Sequence, residues 1–220
     1  MAELCGRSTG ISRGKGGSMH FYDVPNGNFG GDGIVGGHIV VAAGMGYAIR
    51  LNATEQCVVC FFGDGAINEG AFHEALNVSS LWDLPVVFVV ENNMYGMGTS
   101  VERASAVTAL HERGAAYNMT HLPCDGMDIL KVRDVFAEAF ARARKEKKPT
   151  FVEVITYRYR GHSMSDPGKY RSKEEVEKWQ EKDPIARFGV HLLDRKWAKP
   201  ADLEAIDREV NLEVDECVRF

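Results

Sequence analysis

Two short apolar runs, separated by a segment of helical period, constrain most strongly what this chain can fold into. The runs are Cys57–Phe62 and Pro85–Val90, rich in Val and Phe and bounded by Gly, Pro or Asn. Such runs are typical of strands buried on both faces of a sheet. Between them, residues recur at the spacing of one helix face, namely Phe72, Ala75, Leu76, Ser79 and Leu81. A strand, helix, strand unit makes the two strands parallel.

Each predicted strand is followed by polar residues that suit a metal and a phosphate. Gly63-Asp64-Gly65 comes after the first strand, and Asn92-Asn93 lies just past the second. Because neighbouring parallel strands end at the same sheet edge, these oxygens are expected to converge where doubly wound folds bind phosphate-bearing ligands. One carboxylate and one amide oxygen, completed by phosphate oxygens, usually hold Mg²⁺. Gly-Asp-Gly alone is usually a turn. Together with the asparagines, and with Asp64 and Asn93 separated by 93 − 64 = 29 residues, it resembles the thiamine-diphosphate motif.

Composition narrows the class of protein. A chain of 220 residues with 45% hydrophobic and 26% charged residues suits one substantial globular domain. The net charge of −5 argues against nucleic-acid binding, and no apolar stretch is long enough to cross a membrane. Five cysteines at irregular spacing indicate reduced thiols, for which bacterial cytoplasm and mitochondrial matrix both fit.

Two motifs that would indicate other functions fail on their context. Gly31–Gly36 fits the dinucleotide fingerprint G-x-G-x-x-G, but a loop rather than a strand precedes it. The hypothesis that the chain is a nicotinamide-dependent dehydrogenase therefore depends on that match alone. Cys57 and Cys60 form a C-x-x-C, but they face opposite sides of a strand and have no second pair, which argues against zinc.

Two stretches outside the central unit carry further expectations. Met1–Gly17 is small and basic, and composition favours a flexible lead-in; Ser18–Gly37 lacks periodicity and is expected to lie over a binding cleft or an interface. Phe151–Thr156 is another predicted strand, followed by the aromatic, basic and turn-rich Tyr157–Pro167. His162 lies in that stretch at the active edge, which favours a functional over a structural histidine.

The remaining periodic segments are predicted helices, over residues 38–51, 128–147, 172–182, 184–196 and 200–218. Asp128 is the expected N-cap of the second, and Ser172 with Glu175 forms a capping box at the third. The first is dense in Ala, Gly and Val, so we expect another backbone to pack closely on it. The predicted fold is α/β, with a doubly wound, mostly parallel sheet over residues 1–170 and a helical extension over 171–220 packed on the same domain.

These segments together resemble the α subunits of the pyruvate dehydrogenase E1 component, within the thiamine-diphosphate-dependent 2-oxoacid dehydrogenases. The blocks that carry the resemblance span nearly the whole chain: Lys15–His20, Gly33–Gly36, Gly63–Ala66, Glu91–Arg103, Asp125–Asp128 and Gly161–Pro167. The family implies thiamine diphosphate, Mg²⁺ and an α₂β₂ heterotetramer, with the cofactor between an α and a β chain. It also implies oxidative decarboxylation of pyruvate and transfer of the acetyl unit to a lipoyl group on an E2 partner.

The resemblance assigns site residues as well. The implied Mg²⁺ ligands are Asp64, the Asn93 side chain and the main-chain carbonyl of Tyr95. The other implied cofactor contacts are Gly65 and Ala66 at the diphosphate, Gly33 and Val35 at the aminopyrimidine, and the catalytic His162 at the diphosphate and the reacting centre. Ser163 and Ser100 match two of the three serines that are phosphorylated in eukaryotic members.

The chain also departs from the family pattern. Family members carry a further N-terminal region with an additional substrate-binding and diphosphate-binding His, Tyr and Arg, and they carry a C-terminal tail. We therefore expect a fragment or a shortened product, inactive without the β subunit and that region. His38 and the loop Asp23–Asn28 differ from the commoner pattern, and Gly168–Arg171 lacks the third serine.

Three alternatives remain open at this point. The chain could be the α subunit of a branched-chain 2-oxoacid dehydrogenase or of an acetoin dehydrogenase, although the blocks ending at Arg103 and Pro167 favour pyruvate. It could also be a non-catalytic scaffold that only binds the β chain.

Overall fold

The computed structural model describes residues 1–220, and its centre is a sheet of four parallel strands. In chain order the strands are β1 (Val58–Gly63), β2 (Val86–Asn92), β3 (Tyr95–Gly96), β4 (Thr99–Ser100), β5 (Thr120–Asp125) and β6 (Thr150–Ile155). The main sheet has the order β1-β2-β6-β5, while β3 and β4 form a small antiparallel hairpin. Because β1, β2 and β6 are parallel neighbours, the residues that follow β1 and β2 leave the same edge of the sheet.

Seven α-helices accompany the strands: α1 (Gly37–Leu51), α2 (Gly70–Leu81), α3 (Val101–Ala104), α4 (Ile129–Ala141), α5 (Lys173–Gln180), α6 (Pro184–Asp194) and α7 (Pro200–Arg219). Asp128 accepts hydrogen bonds from the first turn of α4, and Ser172 accepts one from the N–H of Glu175 in α5. Both are therefore N-caps, as expected. None of the helices is long and apolar enough to cross a lipid bilayer.

The core lies on both faces of the sheet and confirms a doubly wound α/β fold. On one face Phe88 packs in a cluster with Ile39 of α1 and Phe72 of α2. On the other face Val89 packs with Ala139 of α4. Every residue of β2 from Val86 to Val90 is fully buried, as expected for a central strand of a parallel sheet.

The close packing expected for α1 occurs at Gly46, but side chains rather than another backbone produce it. A Cβ on Gly46 would lie 2.5 Å from Cγ2 of Val86 and 3.3 Å from Cβ of Leu84. Only glycine therefore lets α1 approach the start of β2 so closely.

The chain divides into two compact units, Gly36–Arg187 with the sheet, and Met1–Val35 with Phe188–Phe220. In the latter, the buried carboxylate of Glu3 accepts the N–H groups of Ser12, Gly14 and Gly16 at 2.8, 2.9 and 2.6 Å. These bonds close the segment into hydrogen-bonded turns, so the expected flexible lead-in is wrong. The predicted boundary near residue 170 stays a prediction.

Candidate functional site

Asp64 directly follows β1 and combines burial with an unpaired oxygen. It is 5% exposed, and its Oδ1 has no hydrogen-bond partner. Burial raises the pKa of the Asp64 carboxyl, against the lowering effect of the backbone N–H groups of Asp64 and Asn93 and the charge of Arg158. A buried carboxylate oxygen without a partner is destabilising, so this oxygen is suited to a cation.

Glycines let the loops that follow β1 and β2 touch each other. A Cβ on Gly96 would lie 3.3 Å from Cα of Gly65 and 3.5 Å from Oδ2 of Asp64. The first distance is tighter than most Cβ contacts and the second is an ordinary contact, so glycine at position 96 permits the close approach. The carboxylate after β1 consequently lies against the loop that carries Asn93 and Tyr95.

The two adjacent asparagines at the end of β2 have different environments. Asn92 is buried, donates from Nδ2 to Oε1 of Glu153 at 2.7 Å, and accepts the N–H of Met94 at 3.1 Å. Asn93 is half-buried, and its Oδ1 accepts only the N–H of Tyr95 at 3.3 Å. Asn92 is therefore held inside the fold, whereas the amide oxygen of Asn93 keeps a free lone pair.

Backbone strain and a guanidinium group shape the hairpin that follows. Met94 and Met97 have φ of 76° and 57°, a region that is unfavourable by about 1–3 kcal/mol for such residues and is typical of functional sites. Arg158 donates to the carbonyl oxygens of Tyr95 and Met97 at 3.2 and 2.7 Å, and to the hydroxyl of Tyr170 at 3.2 Å. The Tyr95 carbonyl, one of the predicted metal ligands, is thus fixed by a residue that follows β6.

Glu175 of α5 joins the same hairpin to the segment after β6. Its Oε1 accepts the hydroxyls of Tyr95 and Tyr157 at 2.9 and 2.8 Å. Burial, followed by the bond to Glu175, raises the pKa of Tyr157 to about 12, and the same causes raise the pKa of Tyr95. Ser172 caps the helix as predicted, but Glu175 binds two tyrosines instead of completing the capping box.

The segment with His162 is closed by a carboxylate of its own. Asp166 accepts the N–H groups of His162 and Gly168 at 2.7 and 2.8 Å and the hydroxyl of Tyr170 at 2.8 Å. These bonds lower the pKa of Asp166 to about 2. The imidazole of His162 is exposed and makes no hydrogen bond, so the structure does not link it to Asp64 or Asn93.

The other predicted residues are distributed as follows. Ala66 is buried at the start of a 3₁₀ turn that follows Gly65. Gly33 and Val35 belong to the other compact unit, where Val35 is 63% exposed. Ser163 is exposed, with its hydroxyl 3.0 Å from that of Ser165, and Ser100 is half-buried at the N-cap of α3. Phosphorylation of Ser163 and Ser100 stays a prediction.

No group of three or more His, Cys, Asp and Glu side chains is arranged to hold a metal ion. A cation at Asp64 would therefore use one carboxylate, an amide oxygen, a carbonyl oxygen and oxygens of its ligand. A cavity of about 410 Å³ lies at the opposite edge, before β5 and β6, where Tyr117, Arg142 and Lys148 are among its lining residues. None of the predicted site residues lines it.

Glu153, Arg158, Arg171 and Glu175 also support the site, and none of them was predicted from the sequence as a site residue. Arg171 donates to the carbonyl oxygens of Arg158 and Tyr159, and its guanidinium lies 5.2 Å from the centre of the Tyr157 ring. The one available signal was the aromatic and basic character of residues 157–160, which indicated function without indicating partners.

The chain is a doubly wound α/β protein. Its unpaired carboxylate oxygen, between two touching loops, lies at the carboxyl edge of the sheet, where such folds bind phosphate-bearing ligands. The model of the dehydrogenase E1 component family matches residues 1–220, and the chain belongs to this family, which depends on thiamine diphosphate.

Three relatives illustrate the similarity. The chain is 46% identical, over all 220 of its residues and 68% of the relative, to a Rickettsia felis protein named pyruvate dehydrogenase E1 component subunit alpha. A Rickettsia conorii protein of the same name is 47% identical with the same coverage. Another, from Rhizobium meliloti, is 47% identical over 96% of this chain and 61% of its own length.

Proposed function

We propose that the chain is the α subunit of a pyruvate dehydrogenase E1 component. It takes part in the oxidative decarboxylation of pyruvate and in transfer of the acetyl unit to the lipoyl group of an E2 partner. The observation that carries the proposal is the buried, unpartnered Oδ1 of Asp64 beside the Asn93–Gly96 loop, in a family that depends on thiamine diphosphate. The name shared by relatives of 46–47% identity supports pyruvate as the substrate.

Asp64, Asn93 and the carbonyl of Tyr95 are the proposed Mg²⁺ ligands. Their chemistry fits, because Mg²⁺ prefers oxygen ligands and takes few from the protein when phosphates supply the rest. The carboxylate has a free oxygen, the amide oxygen accepts one long bond, and the carbonyl accepts one bond from Arg158. The cation would satisfy the oxygen that burial leaves unpaired.

The remaining residues have proposed roles around the cofactor. Gly65 and Ala66 would approach the diphosphate closely, because glycine at 65 adds no side chain there, and Gly33 with Val35 would contact the aminopyrimidine. Thiamine diphosphate, when bound, supplies the electron sink for loss of CO₂. His162 would hold or move a proton at the reacting centre, for which its imidazole is exposed and without a hydrogen bond.

The proposed partners are a β subunit in an α₂β₂ heterotetramer and the lipoyl domain of E2. An exposed apolar face of α1, formed by Val40, Val41, Tyr47 and Leu51, supports a protein partner. The proposed compartment is the bacterial cytoplasm or the mitochondrial matrix.

Calorimetry of thiamine diphosphate binding, with and without Mg²⁺ and with the β chain present, tests the proposal. The wild type should give Mg²⁺-dependent heat, and Asp64→Ala should weaken binding at least about 100-fold because a direct ligand is lost. Asp83→Asn removes an exposed carboxylate elsewhere and should leave binding unchanged. Equal binding by Asp64→Ala and wild type would contradict the proposal.

Substrate choice needs a second assay on the same complex. Turnover of pyruvate should exceed that of 3-methyl-2-oxobutanoate. The reverse order would assign the chain to a branched-chain 2-oxoacid dehydrogenase, and absence of any cofactor heat would indicate a scaffold.

A further inference from the structure

A fully buried carboxylate lies beside the proposed metal loop but outside the proposed ligand set. Glu153 is 1% exposed and occupies the middle of β6, in register with Val90 of β2. An apolar residue would fill this position without the unfavourable free energy of burying a charge. The residues on either side of it, Val152 and Val154, are apolar. A specific role for the carboxylate would explain its presence.

Three contacts satisfy the Glu153 carboxylate. Its Oε1 accepts Nδ2 of Asn92 at 2.7 Å, and its Oε2 accepts the backbone N–H of His111 at 2.9 Å. Nδ1 of His111 lies 2.7 Å from the same Oε2. One oxygen therefore faces the end of β2, while the other faces the 3₁₀ helix Leu110–Tyr117, which precedes β5.

The carboxylate determines how the Asn92 amide is oriented. An ionised carboxylate only accepts hydrogen bonds, so the NH₂ end of Asn92 must point toward Glu153. Its Oδ1 then points away and accepts the N–H of Met94 at 3.1 Å. Met94 has φ of 76° and stands between Asn93 and Tyr95, so this bond holds the strained residue between two proposed ligands.

We propose that Glu153 is a positioning residue for the cation site. It acts through Asn92 to hold Met94, and thereby sets the spacing between the Asn93 amide oxygen and the Tyr95 carbonyl. The inference rests on the proposed function, since it concerns the same cation. Residues that orient metal ligands in this way typically change metal affinity about 10–100-fold when they are replaced.

Glu153→Gln tests the inference with little change of shape. The oxygen of the introduced amide has to accept the backbone N–H of His111, so the NH₂ of that amide faces the NH₂ of Asn92. The Asn92 amide must then turn over and release Met94. We expect about ten-fold weaker Mg²⁺ binding, measured by calorimetry with thiamine diphosphate and the β chain. In the cofactor-free complex, hydrogen exchange should accelerate at Met94 more than at Val89 or Val152.

His111→Phe is the matched control. It removes Nδ1 from Oε2 but keeps the backbone N–H bond and the bond from Asn92 to Oε1. A phenyl ring also preserves the stacking on His121, whose ring centre lies 6.0 Å away. Mg²⁺ affinity and Met94 exchange should therefore stay at wild-type values even where thermal stability falls.

A double variant, in which the amide and the carboxylate of positions 92 and 153 are exchanged, covers the case in which Glu153→Gln does not fold. When Glu153→Gln is combined with Asn92→Asp, the amide at position 153 donates to the carboxylate at position 92. The second oxygen of that carboxylate still accepts the N–H of Met94. Slow exchange at Met94 in this double variant supports the inference, and fast exchange overturns it.

The outcomes separate the two proposals. If the wild type binds Mg²⁺ and Glu153→Gln binds it equally well, the inference is overturned and the proposed function stands. If the wild type shows no Mg²⁺-dependent binding, the proposed function is overturned and the inference with it.

Discussion

The Asp64–Gly96 region and the His162 segment adjoin the same sheet edge but are held in different ways. Around Asp64, two loops touch at glycines, and buried or half-buried side chains from β6, α5 and the segment after β6 bind them. The His162 segment is exposed and depends on Asp166, only four residues away. A site for a fixed cation needs the first arrangement, whereas a residue that must meet a substrate can be carried by the second.

The largest expected effect comes from adding one methyl group to each of the two regions in turn. In Gly96→Ala the new Cβ would lie 3.3 Å from Gly65 and 3.5 Å from Oδ2 of Asp64. Because both loops are anchored to the core, we expect Mg²⁺ affinity to fall about 10–100-fold. In Gly161→Ala the new Cβ would lie closer still, 2.4 Å from the carbonyl oxygen of Asp166. The exposed segment that carries it can shift, however. Calorimetry should therefore show wild-type Mg²⁺ affinity for Gly161→Ala, and equal losses in both variants would contradict the comparison.

Removing Glu175 should have an intermediate effect. Glu175→Met keeps a helix-forming side chain of similar length but abolishes the bonds to Tyr95 and Tyr157. We expect a loss of about 2 kcal/mol in unfolding free energy, measured with urea, because both bonds are to a charged acceptor. The pKa of Tyr157, raised to about 12, should fall in an ultraviolet titration while staying above its ordinary value, since burial is its main cause. Glu177→Met, exposed on the same helix, should change neither quantity.

The smallest effect concerns pH and the His162 segment. The folded pKa of Asp166 is about 2, below its ordinary value of 3.8, so its contribution to stability is complete above about pH 4. That contribution is lost as the pH falls through 2. Asp166→Asn should therefore melt at a lower temperature than the wild type at pH 5, and the difference should shrink toward pH 2. A difference that is constant with pH would show that the charge of Asp166 does not hold the segment.

The same contrast explains what could be predicted from sequence. β1, β2, β6 and the helices around them follow from the apolar pattern, because the burial of their Val, Phe, Leu and Ala residues produces that pattern. β5 was missed because Thr120–Asp125 contains His121 and Pro123, and proline is tolerated there only because β5 is an edge strand.

The supports of the site could not be predicted in the same way. Asn92 and Glu153 are 61 residues apart, Tyr95 and Arg158 are 63 apart, and Tyr95 and Glu175 are 80 apart. No local pattern relates residues at such separations, so only the assembled sheet reveals these bonds. Asp64, Asn93 and Tyr95 could be singled out, because their strand ends and their spacing are local features.

The most direct measurement is the anomalous diffraction of Mn²⁺ in crystals of the assembled α and β chains with thiamine diphosphate. We expect one peak about 2.1 Å from Oδ1 of Asp64, from Oδ1 of Asn93 and from the carbonyl oxygen of Tyr95. A cation bound by neither the Asp64 carboxylate nor the Asn93 amide would contradict this expectation.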